Sequence, residues 1–154
     1  MGLEVLRALF TPRLQERGAT RLLDPVTVAA CALLLEIAHA DEVFLPEERE
    51  RIARHIREER GVDDEELRDV FRAAEQERRE SVDLYHFTRL LEEHLSPDER
   101  RRLVETIWEV VYADGTLSSA EGHLARRVAE LLGFQHPEVQ EIKEAVAARL
   151  VKSP

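Results

Sequence analysis

Cysteine is nearly absent from this chain: Cys31 is the only one in 154 residues. A lone thiol makes no internal disulfide, and without CxxC or Cys/His spacing there is no closed thiolate zinc site. Long apolar runs are lacking as well. The longest, Val26 to Leu35, is stopped by Glu36; it falls well short of the roughly 20 residues a membrane span needs and reads as a buried core helix. Positive charge is in deficit, with 22 Lys and Arg against 32 Asp and Glu and a net charge of −10. That balance argues against nonspecific binding to nucleic acid or an anionic membrane, because either requires a basic stripe. Catalytic signatures are missing too. No HExxH, GxSxG, Walker or GxGxxG pattern occurs, and no nucleophile with a base beside it can be named. The expectation is a non-enzymatic protein. The opening stretch, Met1 to Arg7, places Glu4 inside what would be the apolar region of a secretion signal and offers no small-residue cleavage site, so a cytoplasmic location is expected.

What is present is helical. The length suits one domain of about 100–200 residues, and every apolar pattern repeats with the helical period while no stretch alternates like a half-buried strand. The lead, residues 1–21, carries Leu3, Leu6, Leu9 and Phe10 at helical spacing, and four Arg against two Glu fall within residues 1–22. It is expected to be an amphipathic helix packed on the acidic body, or alternatively a weak interface or membrane-surface helix. Asp24-Pro25 opens the long apolar helix, running to about Ala40, and Pro46 opens the next, which ends at Gly61. Asp63 or Asp64 caps a third carrying Leu67, Val70, Phe71 and Ala74, which is expected to fade within the charged stretch Glu75 to Glu80. A fourth holds Leu84, Phe87, Leu90, Leu91 and Leu95. Ser96-Pro97-Asp98-Glu99 is a helix start of cap, proline and acids. The fifth helix presents Leu103, Val104, Ile107, Trp108 and Val111; Ser118 to Glu121 forms a capping box for the sixth, closed by Gly133; the last begins near Pro137. The fold class is therefore all-α, a bundle of about seven to eight helices. Cys31 and Trp108 read as core, and the run Arg100-Arg101-Arg102 as a solvated helix surface.

One internal similarity stands out. At an offset of 73 residues, Glu36-Ile37-Ala38-His39-Ala40-Asp41 lies over Glu109-Val110-Val111-Tyr112-Ala113-Asp114, and Glu48 over Glu121. Each copy is an apolar helix ending in Ala-Asp, a tight connection, then Glu in the first turn of the next helix. Asp41, Glu48, Asp114 and Glu121 would supply four carboxylates if two pseudo-repeated helix pairs faced each other. Hard divalent cations take such oxygen-rich anionic sites. The competing reading is local: the aspartates close Asx-type turns and the glutamates serve as helix caps or dipole partners. EF-hand spacing is absent, and Glu36-x-x-His39 is not repeated, since Tyr112 stands in the second copy.

These residues together resemble the TerB family of tellurite-resistance-associated proteins. The likeness is carried by Ile37-Ala38-His39-Ala40-Asp41 with Pro46-Glu47-Glu48, by Asp83 to Leu91, and by Trp108 to Leu117 followed by Glu121, His123 and Arg126-Arg127-Val128-Ala129. It covers roughly residues 22–150, so that residues 22–154 form the TerB-like domain behind the lead. Glu42 stands where the family usually has Gly after the first Asp. The resemblance implies an all-α domain of about seven helices, association with bacterial stress or tellurite resistance, and clustered acids that bind a divalent metal ion. Other proteins are the expected partners of such an adaptor. The alternatives are a co-chaperone-like scaffold without metal, because a TerB-like domain also occurs beside a J-domain, and a carboxylate-metal hydrolase.

Overall fold

The computed structural model describes residues 22–40, 43–81, 83–113 and 119–152, with the side chains of all of these except 119–121 and 151–152. They form seven helices and no strand: α1 (Pro25–Ala38), α2 (Pro46–Arg60), α3 (Asp64–Glu80), α4 (Tyr85–His94), α5 (Pro97–Val111), α6 (Ser119–Leu131) and α7 (His136–Lys152). The helix expected over residues 1–21 and the cap expected at Ser118 lie outside the described residues.

Local chemistry starts most of these helices. Asp24 accepts from the Val26 amide at 3.2 Å and from the Thr27 hydroxyl at 3.0 Å, with Pro25 at the first helical position. Asp63 accepts from the Glu66 amide at 2.8 Å. Ser96 and Glu99 close a reciprocal capping box, with bonds of 3.1 and 2.8 Å. Every residue of α1 except Glu36 is buried. A helix apolar on all sides must be surrounded, and α1 packs against α2, α3, α4, α5 and α6.

The third helix does not fade at Glu75. It continues to Glu80 because its charged end is tied down: Arg78 reaches Glu36 of α1 and Glu75 of its own helix, both at 3.3 Å, and Arg79 pairs with Glu75. Glu77, in the middle of that stretch, is buried.

The duplication is larger than two helix pairs. Helices α1, α2 and α3 touch one another, as do α5, α6 and α7; across the halves α1 packs on α5, α2 on α5 and α6 on α1. Each half is thus a three-helix unit. Buried positions match through the second helix at the 73-residue offset: Ile52 with Ala125, His55 with Val128, Ile56 with Ala129. In the third helix Leu67, Val70 and Ala74 match Val139, Ile142 and Val146 with one residue fewer between them. The helix ends account for that residue. Gly61, at φ 66°, closes α2 with one bond to the Arg57 carbonyl at 2.9 Å. Gly133, at φ 100°, closes α6 in a Schellman motif, its amide on the Glu130 carbonyl and that of Phe134 on the Ala129 carbonyl. Helix α4 has no counterpart among the described residues; it lies on α1 and α6.

Candidate metal centre

Of the four carboxylates singled out by spacing, Asp41, Asp114 and the side chain of Glu121 lie outside the described residues. Glu48 is described. It is the third residue of α2, and its carboxylate Oε1 accepts from the Leu45 amide at 2.8 Å. Leu45 has no side-chain acceptor to return the bond, so this is half a capping box, completed by Pro46 as the helix starter. Glu48 is only 2% exposed, which is rare for a carboxylate at the head of a helix.

Interhelical contacts place that head. Arg51 lies 3.5 Å from Glu109, His55 is hydrogen-bonded to Thr106 at 2.7 Å, and Arg102 holds Glu59 at 2.8 Å. Residue numbers rise along α2 as they fall along α5, so the two helices run antiparallel. The first turn of α2, with Glu48, therefore lies alongside the last turn of α5, from which Tyr112 and Ala113 lead toward Asp114.

The end of α1 is anchored differently. Glu36 is paired with Arg78, and His39 Nε2 lies 3.6 Å from Glu75. The His39 ring meets that of Phe44, just before α2, at 4.7 Å between centroids and a tilt of 46°. Burial and then the charge of Arg78 push the His39 pKa down, against Glu75 and Glu36, which favours the neutral form of the ring. Glu36 and His39 both find partners on α3. The sequence reading missed Glu75 and Arg78 as the anchors of this connection; their three-residue spacing, an acid preceding a base on one helix face, was the available signal. At the end of α5 the matching acid, Glu109, takes Arg51 and Arg149, at 3.5 and 3.6 Å. Burial raises the Tyr112 pKa, opposed by Arg126.

A hard cation needs anionic oxygens held in place. Glu48 fits: its carboxylate is buried, and a backbone N–H on one oxygen sets its orientation. Among the described residues, no group of three or more His, Cys, Asp or Glu is placed to hold a metal ion. A complete site would need residues of both connections, Asp41, Asp114 and Glu121, beside Glu48. No described helix is long and apolar enough to cross a membrane.

A family model described as tellurite resistance protein TerB matches residues 27–144. No curated protein and no solved structure matches the chain.

Proposed function

The chain belongs to the TerB family of tellurite resistance proteins, and on that premise we propose that it is a non-enzymatic cytoplasmic domain that holds a divalent cation through Asp41, Glu48, Asp114 and Glu121. In this reading it serves as an adaptor for other proteins in tellurite, metal or envelope stress. The observation that carries the reading is the antiparallel pairing of α2 with α5, which sets the buried Glu48 beside the helix end that leads to Asp114. A carboxylate from one copy and the last turn of the other copy's first helix are thereby neighbours. A cation bound there would neutralise carboxylates that otherwise repel and would link the two halves of the duplication, giving partners a surface that depends on the metal.

The test is a thermal melt with Ca²⁺, Mg²⁺, Mn²⁺ or Zn²⁺ and then with chelator. A cation that binds only the folded chain stabilises it by about 2.7 kcal/mol at a hundredfold excess over its Kd. Glu48→Gln separates the roles, because glutamine still accepts from the Leu45 amide but carries no charge. The expected result is that the variant keeps its metal-free stability and loses the response to cation. A wild-type melt that no cation moves overturns the metal reading and leaves Glu48 as a cap.

A further inference from the structure

Helix α4 holds a place in the duplication that the other half leaves open. It directly precedes α5, the first helix of the second half, and lies on α1 and α6. Exchanging the halves puts the corresponding seat on α5 and α2, which has no matching helix among the described residues. The segment that matches α4 in chain order is the one ahead of α1, residues 1–21. Its apolar residues repeat those of α4: Leu3, Leu6, Leu9 and Phe10 fall on Leu84, Phe87, Leu90 and Leu91 at a constant offset of 81. Phe87, Leu90 and Leu91 are the buried stripe of α4, and Leu84, just before it, is partly buried. The shared spacing sets all four residues on one face of a helix.

The seat exists as an open groove of about 380 Å³ along the α2–α5 contact. His55 and Thr106, 8% and 6% exposed, line it and share a 2.7 Å hydrogen bond. Its other lining residues are four arginines and four glutamates, so it carries no net charge. Arg102 and Glu105 stand where α1 has the buried Ala29 and Ala32. The lead carries the same exchange of small for charged: Arg7 falls on Thr88, the buried polar residue of α4. Arg102 is taken by Glu59 at 2.8 Å. Glu105, by contrast, has only Arg101, at 3.9 Å, and Glu58 makes no ion pair with any described residue. Acids are therefore left for Arg7. The chain also enters α1 at this groove's end. Asp24 is bonded to Arg60 at the end of α2, and Arg60 lies 3.7 Å from Glu99 in the first turn of α5. Between Phe10 and Asp24 stand 13 residues, which extended reach about 40 Å.

We propose that residues 3–10 are the counterpart of α4 and dock in this groove of their own chain, over His55 and Thr106, with Arg7 toward Glu58 and Glu105. A leucine stripe on charged walls packs against the aliphatic stems of arginine and glutamate, a poorer seat than the alanines of α1. The tether compensates, because a segment joined by a short linker meets its seat at an effective concentration on the order of millimolar. The docked lead is thus a releasable arm, held more weakly than α4. The proposal does not depend on the acidic connections or on a metal.

Paramagnetic ¹H–¹⁵N NMR of the full chain, with a nitroxide on Ala8→Cys, tests it. Ala8 falls on Arg89, an exposed residue of α4, so the label occupies the expected solvent side, and Cys31, fully buried, takes none. Broadening should be strongest at the amides of Arg54, Glu58, Arg102 and Thr106 and weakest at Arg68 and Phe71 on α3. Leu6→Glu with Leu9→Glu, which touches nothing in the described core, should bring it down to the level given by a free nitroxide. Arg7→Glu should reduce it severalfold. Labelled chain without ¹⁵N, mixed with unlabelled ¹⁵N chain, separates the two sources: equally strong broadening in that mixture means docking on a second copy and overturns the proposal. Broadening that is absent, centred elsewhere, or unchanged by Leu6→Glu with Leu9→Glu overturns it as well.

Discussion

Replacing the His55–Thr106 pair one side at a time, then together, should give a strongly non-additive cycle. Thr106→Val leaves the buried His55 Nδ1 without the partner it has at 2.7 Å, and His55→Val does the same to the Thr106 hydroxyl. Each orphaned buried group costs about 1–3 kcal/mol, whereas removing both partners together is close to neutral. The two single losses should therefore exceed the loss in the double variant by at least about 1 kcal/mol. Urea unfolding at pH 7.5 measures this as shifts of the midpoint at constant slope. Acid adds a second readout. Burial lowers the His55 pKa from 6.5 to about 4, with Glu59 opposing and Arg102 and Arg60 assisting. Above pH 6.5 the ring is neutral in both states and nothing is lost. Between pH 6.5 and about 4 the unfolded chain binds a proton that the folded chain refuses, so stability falls by about 1.4 kcal/mol per pH unit. The total is on the order of 3 kcal/mol, and below pH 4 this group adds no further slope. His39 and His86, also pushed down chiefly by burial, contribute to the wild-type slope, so the comparison that isolates His55 is with His55→Val. Parallel stability curves for wild type and variant across that window, or additive single losses, would refute the reasoning.

Further expectations follow from the helix ends and the core. Gly133→Ala should destabilise more than Gly61→Ala by urea midpoint. Both sit at positive φ, where a Cβ costs about 1–2 kcal/mol, but at Gly133 the new atom meets Arg100 at 3.0 Å while at Gly61 nothing lies within 4 Å. Asp24→Ala should cost about 0.5–2 kcal/mol as a lost cap and Asp24→Asn much less, since asparagine still caps α1. The same carboxyl, raised by burial, is held below its ordinary pKa by the bonds from Arg60, Val26 and Thr27 and by the Arg60 charge, so wild type should lose this contribution as pH falls through the carboxylate range and Asp24→Asn should not. Cys31 is fully buried and its thiol pKa is pushed up by that burial, so iodoacetamide should label it only at the rate at which the chain opens, as followed by mass spectrometry.

Most helix starts are legible in the sequence because their determinants span three or four residues: Asp24 before Pro25, Asp63 with Glu66, Ser96 with Glu99. The place of α1 at the centre is legible for a similar reason, since an unbroken apolar stretch of that length has no solvent face. The family likeness is also a sequence property, and the match over residues 27–144 agrees with it. Within the acidic motif the sequence marks Glu48 by its spacing, but its burial and its position beside the end of α5 come from the packing of α2. Three other features belong to the tertiary structure alone. Helix α3 keeps its last turns because Arg78 finds Glu36 on another helix, a contact that local propensity does not contain. The third helix of the repeat is hidden from a fixed offset because the tighter closure at Gly133 drops one residue, and a single slip rotates the helical register by about 100°. His55 and Thr106, 51 residues apart, have no mutual signal in the chain; only the antiparallel packing of α2 on α5 turns two unremarkable polar residues into a buried pair, because the cost of burying each depends on the other being there.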